Sequence, residues 1–147
     1  MTSFALIFVL TLTAQPDLCP LVQDMNVKIT EATGYTPTTC PRIGFAALPL
    51  SGTLRSQAGA YFPATGAIEL APDLDLTTPL GQSYLLHELV HAAQFANGAD
   101  AQADCPAVLE GEAYRIQADF LREAGLTRDA VLISLMAAHL GQCDPGY

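Results

Sequence analysis

Ser83-Tyr84-Leu85-Leu86-His87-Glu88-Leu89-Val90-His91-Ala92-Ala93-Gln94-Phe95 contains one His-Glu-x-x-His. The periodicity predicts a helix, on which residues three and four apart share a face. His87, Glu88 and His91 then form a polar stripe, while Leu85, Leu86, Leu89, Val90 and Ala93 cover most of the remaining surface. Burying two imidazoles and a carboxylate is costly unless they are satisfied, and a metal ion is the usual partner of this arrangement. The stretch therefore nominates His87 and His91 as zinc ligands and Glu88 as a general base. The competing reading is a packed or solvated helix without metal. The flanks are too apolar for a solvated face, and two of the three histidines in the chain fall in this motif.

The elements around this helix define an α+β domain. Leu21, Val22, Met25 and Ile29 recur at helical spacing after Pro20, and Gly34 ends that helix. Short apolar runs bounded by Gly and Pro predict strands at Ile43 to Leu50, Gly59 to Phe62 and Ala67 to Leu70, with a turn at Pro63 to Gly66. Thr78 and Pro79 have the chemistry of a helix start, so the motif helix runs from there to about Asn97-Gly98. Ala99 to Cys105 reads as a loop. Pro106 opens a further helix that ends before Gly125, and Thr127 caps a last one reaching about Leu140. The predicted architecture is a small sheet of about three strands packed on the motif helix, with the next helix behind it and flanking helices outside.

A chain of 147 residues, half of them hydrophobic, fits one domain, expected at 15–147. Residues 1–14 resemble a signal peptide, with an apolar run from Phe4 to Leu12 that is too short to span a bilayer, and no later stretch reads as a membrane span. Fifteen acidic against six basic residues give a net charge of -9, which argues against nucleic acid as a partner. Cys19, Cys40, Cys105 and Cys143 are widely spaced and never form the close pairs of a thiolate metal site. Of three possible pairings, Cys19 with Cys40 and Cys105 with Cys143 is the expected one. A secreted or periplasmic location follows.

Two histidines do not complete a hydrolytic zinc site, which needs a third protein ligand. Two carboxylates, Glu110 and Glu112, stand on the next helix. Here the chain resembles the gluzincins, zinc metallopeptidases with His-Glu-x-x-His on one helix and a ligand glutamate on the following one. His87-Glu88-Leu89-Val90-His91 matches the first motif, and Glu110-Gly111-Glu112-Ala113 is similar to the second, in which glycine follows the glutamate and alanine comes three residues on. The likeness spans Gly59 to Gln117. It implies zinc held by His87, His91 and Glu110, with Glu112 as the competing ligand, and hydrolysis of a peptide or protein substrate with Glu88 as base. Gly111 and Ala113 are expected to bring the glutamate helix close to the motif helix, and Ala67 to Leu70 to be the edge along which a peptide lies. Many gluzincins carry Asp four residues after the ligand Glu, where this chain has Tyr114, a candidate catalytic hydrogen-bond donor. Tyr61, Tyr84, Arg115 and His139 are further candidates for stabilising an oxyanion. The alternative from another class is a metal-stabilised binding domain without catalysis.

Overall fold

The computed structural model describes residues 17–48 and 58–144. The expected signal segment and the end of the first predicted strand, at Pro49 and Leu50, lie outside them. The elements run α1 (Cys19–Thr33), β1 (Ile43–Phe45), β2 (Gly59–Phe62), β3 (Ala67–Leu70), α2 (Pro79–Ala96), α3 (Ala99–Gln102), α4 (Pro106–Glu123) and α5 (Thr127–Leu140). This is an α+β arrangement of five helices and a three-stranded mixed sheet among the described residues.

α2 is the axis. Its residues 85–90 are buried without a break, which is the signature of a helix surrounded by other elements rather than lying on a surface. Leu85, Leu86, Leu89, Val90 and Ala93 share one core with Val22, Met25 and Ile29 of α1, Ile68 and Leu70 of β3 and Ala113 of α4. α4 in turn packs on α5 through Ala118, Leu121, Ala130 and Ile133. The start of α2 is fixed as its sequence suggests. The Thr78 hydroxyl accepts from the Gly81 amide, and proline occupies the first turn.

The sheet order is β1-β3-β2, with β1 parallel and β2 antiparallel to β3. Ala67–Leu70 is therefore the central strand, not the edge expected for it. Its Ile68 and Leu70 are fully buried, and a strand that supplies the core in this way is covered by neighbours on both sides. The edge nearest the motif helix is β2. The first strand is shorter than the predicted Ile43–Leu50 and ends at Phe45. The stretch after α2 contains the short α3 instead of only a loop, and Thr127 is the first helical residue of α5 instead of its cap, which is Leu126.

Disulfides join Cys19 to Cys40 and Cys105 to Cys143, the expected pairing. The second ties the start of α4 to the chain beyond α5 and closes a separation of 38 residues, worth roughly 4 kcal/mol if chain entropy dominates. The same two helices meet at a backbone contact that overturns the role expected of Gly111. A Cβ on Gly111 would lie 2.7 Å from the Gly141 Cα, so Gly111 admits the end of α5 and not α2. Ala113 is the small residue that faces α2, within the main core.

Gly111→Ala is expected to lower stability by about 1–3 kcal/mol despite alanine's better helix propensity, because backbone and not a flexible side chain must yield. Urea unfolding measures it; an unchanged midpoint would show that the two helices separate freely.

Candidate metal centre

One helical turn separates His87 from His91, and both imidazoles turn toward α4. Their Nε2 atoms stand 3.1 Å apart. The Glu110 carboxylate closes the triangle, with one oxygen 3.3 Å from His87 Nε2 and the other 3.4 Å from His91 Nε2. The histidine side chains are nearly buried, whereas that of Glu110 is 44% exposed, so the cluster opens to solvent on the α4 side. Four ligands around a tetrahedral zinc lie roughly 3.3 Å from one another, given bonds of about 2.0–2.1 Å. The three edges match one face of such a tetrahedron.

The hydrogen bonds behind the rings decide which atoms carry protons. Ser83 donates its hydroxyl to the Leu80 carbonyl, so its oxygen must accept from Gln117 Nε2. Gln117 then presents Oε1 to His87 Nδ1 at 3.1 Å, and that nitrogen is the donor. On the other side, Gln94 Nε2 donates to the Leu109 carbonyl and to Glu112. Its Oε1 therefore faces His91 Nδ1, 2.8 Å away. With both Nδ1 atoms protonated, the two neutral rings direct Nε2 lone pairs at each other and at a carboxylate. Three convergent acceptors need a cation. A proton can bridge two of them, while a metal ion reaches all three.

The charge balance agrees. Burial pushes the Glu110 carboxyl up, but the facing His87 and His91 rings, which can carry the proton in its place, outweigh it and hold the group well below the usual carboxylate range. For His91, burial disfavours the charged ring, yet the Glu110 carboxylate overrides this and raises its pKa. The cluster attracts positive charge.

Glu88 reaches β2. It is buried, and desolvation raises its pKa, partly offset by the two histidines and by a hydrogen bond from the Tyr61 backbone. Gly59 makes room for it, since a Cβ there would lie 2.8 Å from Glu88 Cγ and 3.0 Å from Oε1. The sequence-nominated trio His87, His91 and Glu110 thus comes together, with Glu88 beside it. Tyr114, one turn after Glu110, lays its ring against His87 with centroids 4.4 Å apart. Glu112 does not join the trio. It accepts from Gln94 and from the Tyr35 hydroxyl, and so braces the residue that holds His91. His139 is exposed in the last turn of α5.

Gln94, Gln117, Ser83 and Gly59 escaped sequence reasoning. The available signal was weak but present: Ser83 and Gln94 are polar residues within a helix otherwise apolar enough to be buried, and Gln117 is the polar residue two turns after Glu110. The partner of His87 Nδ1 is Gln117, not the residue at position 114.

Fold and site together define an α+β domain organised around a His-His-Glu group able to hold a metal ion. Residues 37–145 match the model of a domain of unknown function, DUF6647, and the chain belongs to that family. No curated protein and no solved structure matches it.

Gln117→Leu is expected to weaken metal affinity about 10- to 100-fold while keeping all three ligands. Competition with a chromophoric chelator would measure this. Affinity equal to wild type would mean that the ring orientations do not depend on the glutamine.

Proposed function

We propose that the protein is an exported zinc-dependent peptidase of gluzincin type, with His87, His91 and Glu110 as metal ligands. The observation that carries this reading is the convergence of two Nε2 lone pairs and one carboxylate with a buried carboxylate, Glu88, beside them. A structural zinc site is usually closed by four protein ligands, whereas three leave a position open. Glu110 lies on the solvent side of the cluster, where a substrate can arrive.

Zinc bound here would supply a Lewis acid and bring the pKa of a water toward neutrality. Glu88 accepts the proton of the attacking water and returns it to the leaving amine. Its desolvated carboxylate is a stronger base than an exposed glutamate, which suits that exchange. Tyr114, whose ring packs on His87, is the residue assigned in this reading to donate a hydrogen bond to the oxygen that gains charge at the scissile carbonyl. Gln94 and Gln117 keep both rings aimed, and Glu112 with Tyr35 keeps Gln94 aimed.

The edge strand β2 provides a track for the substrate. The Ala71 amide bonds the Ala58 carbonyl, so the alternation of an antiparallel pair turns Ala60 and Phe62 toward β3 and leaves the backbone of Gly59 and Tyr61 facing away from it. The Tyr61 amide engages Glu88. The Gly59 groups and the Tyr61 carbonyl can pair with an extended peptide by strand addition.

Export accords with the two disulfides, which persist in oxidising compartments, and with the apolar amino-terminal run. No helix among the described residues is long and apolar enough to cross a membrane.

Glu88→Gln is expected to retain zinc and to lower turnover of a cleaved peptide by at least about 100-fold. Elemental analysis and a peptide-library digest followed by mass spectrometry test both halves. Full turnover in the variant would remove Glu88 from the mechanism. A chelator is expected to abolish wild-type turnover, restored by added zinc; a lowered melting temperature with no activity to lose would favour a metal-stabilised binding domain.

A further inference from the structure

Beyond the proposed ligands and base, the surroundings of the cluster hold a feature that no step of the chemistry uses. Tyr61 of β2 and Phe95 of α2 meet with ring centroids 5.7 Å apart and planes tilted by 51°. Phe95 stands one helical turn beyond His91, at the end of α2, and is 36% exposed. Tyr61 is fixed at its backbone, where its amide holds the Glu88 carboxylate, and its side chain lies on the sheet face shared with Ile68, between β2 and α2. Along β2 the order is thus Gly59 over Glu88, then Tyr61 against Phe95. The outward backbone groups of the same edge lead from the base to the ring pair.

We infer that Tyr61 and Phe95 form an aromatic shelf that selects extended peptides carrying an aromatic or large apolar side chain next to the bond placed over Glu88. This rests on the peptidase reading and names its substrate class. A peptide added to β2 places alternate side chains on the face toward α2, and the one beside Tyr61 meets the exposed Phe95 ring. Stacking there removes apolar area from water at a surface already part-buried by its aromatic neighbour. The Tyr61 hydroxyl stays at the rim: burial and the nearby Asp100 carboxylate both raise its pKa, which keeps it neutral and a hydrogen-bond donor.

The chain contains no tryptophan, so a tryptophan-bearing peptide reports its own binding. Zinc-loaded Glu88→Gln protein, which holds substrate without turnover, is titrated with a capped pentapeptide of four alanines and a central tryptophan. The all-alanine analogue is measured by displacement. The tryptophan peptide is expected to bind up to about tenfold more tightly, the scale of one aromatic contact. Adding Phe95→Ala should bring the affinities of the two peptides together, and Phe95→Leu should keep part of the difference. Equal binding of both peptides, or a preference that survives Phe95→Ala, overturns the shelf. Tryptophan-selective binding that depends on Phe95, in a protein whose wild type cleaves nothing, would instead uphold the shelf and reject the peptidase.

Discussion

Three acceptor atoms that face one another across little more than 3 Å are the constraint to which the rest of the molecule answers. Left to themselves, two imidazole lone pairs and a carboxylate repel, and exposed side chains would rotate apart. Here they are held by hydrogen bonds at the far side of each ring: Gln117 on His87, Gln94 on His91, each glutamine fixed in turn by acceptors that allow only one orientation of its amide. No buried side-chain polar atom among the described residues lacks a partner. Such a fully connected polar network inside a packed helix pair is rigid, and it leaves the three acceptor atoms arranged so that they could hold a metal ion.

The fold supplies this rigidity in layers. α1 and the sheet bury one side of α2, and α4 presents Glu110 and Gln117 from the other. α4 is itself held at both sides of Glu110, by the disulfide at Cys105 and by the contact of Gly111 with Gly141. A glutamate helix anchored in this way cannot easily rotate its carboxylate out of the cluster. The opposite side of the cluster is more open: Glu110 is partly exposed, and β2 is an edge strand.

Much of this was legible in the residues. His-Glu-x-x-His within an apolar run contains both the histidine pair of the cluster and its burial, and Thr78-Pro79 marks where the helix begins. The cysteine pairing followed from the order of elements. The sequence did not reveal strand order, because Ala67-Ile68-Glu69-Leu70 is apolar enough to be either an edge or a centre and only pairing decides. It misled at Gly111, since a small residue on a helix shows that something approaches closely but not which neighbour. Gln94 and Gln117 were only faintly marked as supports: a glutamine's role depends on what lies across from it, here a histidine ring on one side and a fixed acceptor on the other. Glu112 was seen as a rival ligand because spacing brings it near the site, and the helix rotation that turns it to Gln94 and Tyr35 is set by packing.

The most direct test is the zinc content of the purified wild type beside Glu110→Ala and Glu112→Ala, by elemental analysis after reconstitution and desalting. One zinc per chain is expected in the wild type, with loss in Glu110→Ala and retention in Glu112→Ala. A wild type that takes up no zinc, or a Glu110→Ala variant that holds it at full stoichiometry, would contradict the claim that these three side chains form a metal centre.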